Sequence, residues 1–179
     1  TVKTIFEKNG LSIFDVEELS THGGSLRVYA QRTSTGKNLI NEKVLMLEKI
    51  EKSNGIDSLH LYEGFKEKAD KIKKELLAFL IEAKKQGKKV IAYGAAAKGN
   101  TLLNYSGIKN DLIDYVVDKN PSKQRKYMPG SHIPILSDIV EKPDYILILP
   151  WNIADEIIEQ NASSGSTFLT AIPKLKLYN

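Results

Sequence analysis

The sequence predicts an α/β fold: a doubly wound, mainly parallel sheet preceded by a β-hairpin and two helices. Three observations carry this. Short unbroken apolar runs alternate with helical stretches across residues 88–179, as in parallel strands buried on both faces. Residues 40–87 repeat apolar side chains at helical spacing. Two alternating, β-rich runs flank Gly23 and Gly24, the pattern of a hairpin.

The elements follow in chain order. Residues 11–19 and 26–32 form the hairpin arms, joined through Thr21-His22-Gly23-Gly24-Ser25. Such a ribbon is marginal alone and needs a sheet to join. Leu39, Ile40, Val44, Leu47 and Ile50 mark one helix, and Phe65, Ala69, Ile72, Leu76, Phe79 and Leu80 a second. Gly55 and Gly87 are natural stops, and the lysines of the second helix read as its solvated side. Residues 88–93 are the first strand of the sheet, followed by a helix through Asn104. Residues 112–117 are a second strand, and 133–136 a short apolar segment after a loop rich in Pro and Gly. Residues 145–149 are a third main strand, leading through Pro150-Trp151-Asn152 into a helix over 153–160. Residues 167–170 and 174–178 are late strands. With right-handed crossovers, a ligand crevice is expected at the strands' C-terminal ends. Residues 1–35 are expected to be the terminal hairpin of a truncated domain. Residues 36–87 would be a helical connector packing on the C-terminal domain, and 88–179 that domain, Rossmann-like in its strand–helix alternation.

Composition narrows the function classes. Hydrophobic residues are 41% and charged residues 27% of the 179, values of a globular domain. No apolar run reaches the roughly 18 residues of a membrane span, and the N-terminus lacks the regions of a signal peptide, so a cytoplasmic location is expected. There are no cysteines and three scattered histidines, which argues against a metal centre or disulfides in this chain. A net charge of +4, with lysines concentrated over 66–89, suits a small anionic ligand or a solvated helix face better than nucleic acid.

Chemistry concentrates after the first strand of the sheet. Gly94-x-Ala96-x-x-Gly99 resembles the dinucleotide fingerprint with its middle glycine replaced by alanine. Gly94 permits the tight turn, Gly99 lets helix and strand approach, and the amides at the helix start can hold a phosphate. Lys98 adds positive charge, Asn100 a polar group, and Asp118 stands where a carboxylate would meet ribose hydroxyls. Ala96 keeps a pyrophosphate farther from the backbone than glycine would, and the order Lys-Gly-Asn-Thr is not that of a P-loop. The turn therefore reads either as a phosphate or nucleotide contact or as a purely structural turn.

Five motifs occur in order: Thr21-His-Gly-Gly-Ser-Leu-Arg-Val-Tyr29, Ala92-Tyr-Gly-Ala-Ala-Ala-Lys-Gly-Asn-Thr101, Val117-Asp-Lys-Asn-Pro-Ser-Lys-Gln124, Met128-Pro-Gly-Ser-His-Ile-Pro-Ile135 and Ile148-Leu-Pro-Trp-Asn152. Together they resemble the C-terminal domain of S-adenosylmethionine-dependent nucleotide-sugar C-methyltransferases, preceded by the tail of their central methyltransferase domain. The resemblance implies a transferase of deoxysugar biosynthesis that acts on a dTDP-linked sugar. S-adenosylmethionine would bind outside this fragment, and zinc only in a missing N-terminal domain. The partners implied are the nucleotide-linked deoxysugar and the chain's own methyltransferase domain, with no nucleic acid and no membrane. The fragment alone is expected to be inactive, helping to bind the nucleotide sugar and close the cleft. On this view Gly94, Lys98, Gly99, Asn100 and Asp118, with Lys123 and Gln124 in the following loop, are the substrate or nucleotide candidates. His22 is a catalytic candidate or a turn-fixing hydrogen bonder, Arg27 a phosphate partner or a solvent-facing strand residue, and Trp151 a core or interface aromatic. His60 and His132 read as structural. Two other classes remain open: an NAD- or CoA-binding regulatory domain using the same turn and Asp118, and a non-catalytic assembly domain.

Overall fold

A computed structural model describes residues 1–178 and, for His22, the backbone only. The chain divides into two compact units, Thr1–Phe65 and Lys66–Asn179, so the boundary falls inside the helical stretch expected over 36–87.

In the first unit, helix α1 (Val2–Lys8) precedes strands β1 (Leu11–Leu19) and β2 (Ser25–Arg32), then helices α2 (Glu42–Ser53) and α3 (Leu59–Tyr62). The strands pair antiparallel from Leu11↔Arg32 to Leu19↔Ser25, with an irregularity between Ile13 and Asp15. The reversal between them uses Gly23 at φ 77 and Gly24 at φ 117, a region open to glycine at little steric cost. Asn41 starts α2 by accepting a hydrogen bond from the Lys43 amide at 3.0 Å, satisfying one orphan donor of the first turn. Both α1 and α2 lie against β1. Val16 and Val44 are the buried hydrophobic side chains of this unit among the described residues. Two expectations shift here. Helix α1 has no counterpart in the sequence pattern, because its seven residues offer barely two turns of periodicity. Leu39 and Ile40 precede α2 and are 90% and 56% exposed, so they are not part of its apolar face.

The second unit holds α4 (Phe65–Lys85, less its first residue), β3 (Val90–Tyr93), α5 (Ala97–Ser106), β4 (Val116–Val117) and β5 (Ile135–Leu136). It continues with β6 (Tyr145–Ile148), α6 (Ala154–Gln160), β7 (Thr167–Thr170) and β8 (Lys176–Tyr178). The sheet order is β5-β4-β3-β6-β7-β8. All neighbours are parallel except β7 and β8. This is the mainly parallel, Rossmann-like sheet that the strand–helix alternation predicts, and the chain reverses its direction of travel between β3 and β6.

Each face of the sheet carries its own core, which explains why β3 and β6 read as unbroken apolar runs. On one face, Leu76, Leu80 and Ala83 of α4 and Leu102 and Leu103 of α5 pack with Val90, Ala92, Leu147 and Leu169. On the other, Ala154 and Ile157 of α6 pack with Ile91, Tyr93, Ile146, Ile148 and Phe168. Helices α5 and α6 thus lie on opposite faces, as right-handed crossovers leading away from a switch point require. Residues 112–115 remain outside the regular strand. Asp114 and Tyr115 nonetheless bond to β3, the Asp114 amide donating to Val90 O and Tyr115 O accepting from the Ala92 amide.

Candidate functional site

The parallel strands bring the ends of β3, β4, β6 and β7 to one edge of the sheet. The connections from β3 and β6 diverge to opposite faces there, the place where open α/β sheets carry their ligands. Gly94, the first residue after β3, has φ 85. A side chain on it would also meet the Pro150 ring, whose Cδ lies 2.6 Å from the position of a Cβ. Gly99 on α5 stands against Leu149 in the same way. Both glycines of the fingerprint therefore let the β3–α5 turn close against the segment leaving β6.

Asp118 ends β4 and is 8% exposed. One carboxylate oxygen accepts from the Ala95 amide at 2.7 Å and from the Lys123 ammonium at 3.1 Å. The other accepts from the Asn120 amide at 2.8 Å. Lys123 also donates to the Ala95 carbonyl at 3.0 Å, and Gln124 to the Asp118 carbonyl at 3.0 Å. The candidates 118, 123 and 124 therefore form one network that fixes the Gly94 turn to the loop after β4.

Lys98 lies in the first turn of α5. Its ammonium hydrogen-bonds the Asn152 side-chain oxygen and stands 5.0 Å from the centroid of the Trp151 ring, within range of a cation–π attraction. It thus bridges the switch point from the β3 side to the β6 side. Trp151 is half-buried and packs on the edge of the core, so it is a core-edge aromatic that also receives a cation. No side chain caps the start of α5. Asn100, one turn in, carries a buried side-chain oxygen with no hydrogen-bond partner. Its neighbour Asn104 donates to the Asn100 and Pro129 carbonyls, joining the loop around 129 to α5.

The edge thus gathers Gly94, Lys98, Gly99, Asn100, Asp118, Lys123 and Gln124. The side chain of His22 lies outside the described residues. Arg27 bonds Glu17 at 2.9 Å across the hairpin, where Tyr29 also donates to Glu17 at 2.8 Å. His60 pairs with Glu63, and His132 is exposed in a turn at φ 57. Among the described residues no group of three or more His, Cys, Asp or Glu side chains is placed to hold a metal ion. None of the described helices is long and apolar enough to cross a membrane. Sequence reasoning missed the Lys98–Asn152 bridge and the Asp118–Lys123 pair. The first spans 54 residues and left no local signal; for the second, a lysine five positions after the aspartate in a short loop was the available clue.

The sheet order, the opposed helices and the glycine turn at the switch point define an α/β domain of the Rossmann-like class. Residues 20–173 match the C-methyltransferase C-terminal domain family, and the chain belongs to it. A C-methyltransferase of Streptomyces niveus, NovU, is 33% identical over 177 residues. That match covers 96% of this chain and 42% of the relative, so the chain spans less than half the relative's length.

Proposed function

We propose that this chain is the C-terminal part of an S-adenosylmethionine-dependent sugar C-methyltransferase, helping to hold a dTDP-type nucleotide sugar and to close the cleft over it. The family membership supports the reaction class, and one observation carries the substrate role. The Lys98 ammonium stands at the switch point beside the uncapped start of α5. Amide groups, helix dipole and a lysine charge can converge there on one phosphate. Gly94 and Gly99 permit the close turn. Asp118, Lys123 and Gln124 hold the turn in place rather than touching the sugar.

The methyl donor would bind in the methyltransferase domain outside these residues, and zinc in a further N-terminal domain. S-adenosylmethionine supplies an electrophilic methyl group. The contribution of this chain is to anchor the remote diphosphate, so that binding energy there orients the reacting carbon. The chain alone would transfer no methyl group, and a cytoplasmic location suits such a biosynthetic role. A dinucleotide reading is less favoured, because the carboxylate it needs for the ribose already accepts from Ala95, Asn120 and Lys123.

The test is Lys98→Ala in the full-length enzyme, with calorimetric titration of both ligands. Loss of a charge-assisted contact is expected to weaken dTDP-sugar binding about tenfold. The expected loss is no larger because Lys98 must exchange its Asn152 partner for the ligand. Affinity for S-adenosylmethionine should stay unchanged. Equal dTDP-sugar affinity in mutant and wild type would remove the phosphate role from this turn.

A further inference from the structure

The charged side chains at the switch point are satisfied within the fold, Lys98 by Asn152 and Lys123 by Asp118. A second group on the same sheet edge is only partly so. The segment leaving β7 runs through Pro173, Lys174 and Leu175 and faces Lys68, Lys71, Ile72 and Glu75 of α4 across a cleft of about 540 Å3. Because β7 is parallel to β6, and β6 to β3, this cleft opens at the edge that carries the Gly94 turn. Its volume is in the range of small-ligand sites.

The lining has two parts. Ile72 and Leu175 are half-buried and pack against the main core, giving the cleft an apolar floor on rigid elements. Lys68, Lys71 and Lys174 stand exposed around it, against the single carboxylate of Glu75. Residues 68, 71, 72 and 75 share one side of α4 because helical neighbours recur at three and four residues. Glu75 pairs with Lys71 at 3.8 Å. Asp70, close by in sequence, is taken by Lys66 at 2.6 Å and by the Tyr105 hydroxyl at 2.6 Å. Lys68 and Lys174 have no carboxylate partner among the described residues. Three ammonium groups with one counter-charge around a concave apolar floor are complementary to a compact polyanion carrying a flat or apolar body. Phosphate oxygens would meet the lysines, and the body would rest on Ile72 and Leu175.

We infer that this cleft is a second anion site, taking the diphosphate of a nucleotide-class small molecule between Lys68, Lys71 and Lys174. It is independent of the role proposed for Lys98 and lies on a different connection of the sheet. Thymidine diphosphate and inorganic pyrophosphate are the probes, titrated into the isotopically labelled full chain and followed by amide chemical shifts. Both should shift the Lys174, Leu175 and Lys176 amides saturably, and thymidine diphosphate should bind more tightly because its base rests on the apolar floor. The shifts should persist in Lys98→Ala. In the double variant Lys68→Ala/Lys174→Ala the affinity should fall about two- to thirty-fold, the range expected for losing two solvent-accessible charge contacts. Both lysines are exposed, so the variant should keep its fold, and unchanged amide shifts in β3 and β6 verify this. Shifts confined to residues 94–100 would overturn the second site while leaving the Lys98 reading intact. Non-saturable shifts, or affinity unchanged in the double variant, would also overturn it.

Discussion

Replacing Asp118 by alanine tests how the Gly94 turn is held. The carboxylate accepts from the Ala95 amide at 2.7 Å, from the Asn120 amide at 2.8 Å and from Lys123 at 3.1 Å. A hydrogen bond from a neutral donor to a charged acceptor contributes about 1.5–3 kcal/mol, so the two amides together stand for about 3–6 kcal/mol. The Lys123 pair adds about 1 kcal/mol or less, since that side chain is 39% exposed. Water entering the space vacated by the carboxyl group recovers part of the loss, and a destabilisation of about 3 kcal/mol is expected. Lys123→Met should cost about 1 kcal/mol. Native-state hydrogen exchange at the amides of β3 and β6 measures both, because their exchange is limited by unfolding of the whole sheet. A loss below about 0.5 kcal/mol for Asp118→Ala, near the level of an ordinary surface substitution, would refute the network as the turn's anchor. Equal losses in the two variants would show that the ion pair, not the amides, carries it.

Three further outcomes follow from the packing and charges. Gly99→Ala should destabilise the sheet by about 1–3 kcal/mol, as overpacking does, because the new methyl would run into Leu149; an unchanged melting temperature would show that the two segments can part freely. The Asp144 carboxyl is held below the usual carboxylate range, first by the Lys89 amide and then by Lys88. A depressed folded-state value stabilises above the unfolded value near about 4 and is lost as pH falls through the folded one. The stability gap between wild type and Asp144→Asn should therefore shrink on acidification below about pH 4, and a constant gap in urea titrations at several pH values would contradict this. Amides of β1 and β2 should exchange faster than those of β6, since among the described residues Val16 and Val44 are the buried hydrophobic side chains of that unit; equal protection would show that the hairpin is stabilised by more than its own core.

The sheet was legible because β3 and β6 are covered on both faces, so Val90, Ile91, Ile146 and Leu147 leave no polar alternation to confuse the reading. The Gly94 turn was legible for the same local reason, a glycine pair opening a helix after a strand. Its cause was not. Gly94 and Gly99 answer to Pro150 and Leu149, some fifty residues away, and only the parallel pairing of β3 with β6 brings them together. Asp118 was placed at the right strand end, but the groups that occupy its oxygens come from two loops whose path depends on tertiary structure. Leu112 and Ile113 carry strand-forming side chains yet precede the ladder, whose paired residues on β4 are Val116 and Val117.

The position of Trp151 has a practical consequence. It is the single tryptophan of the chain and belongs to the second unit, beneath the Lys98 ammonium. Intrinsic fluorescence excited at the red edge therefore sees the sheet domain and is blind to the hairpin unit, whereas the far-ultraviolet circular dichroism signal sums both. Recording the two signals along one denaturant gradient separates the melting of the units without labels or truncation: a circular dichroism step that precedes the emission change belongs to Thr1–Phe65.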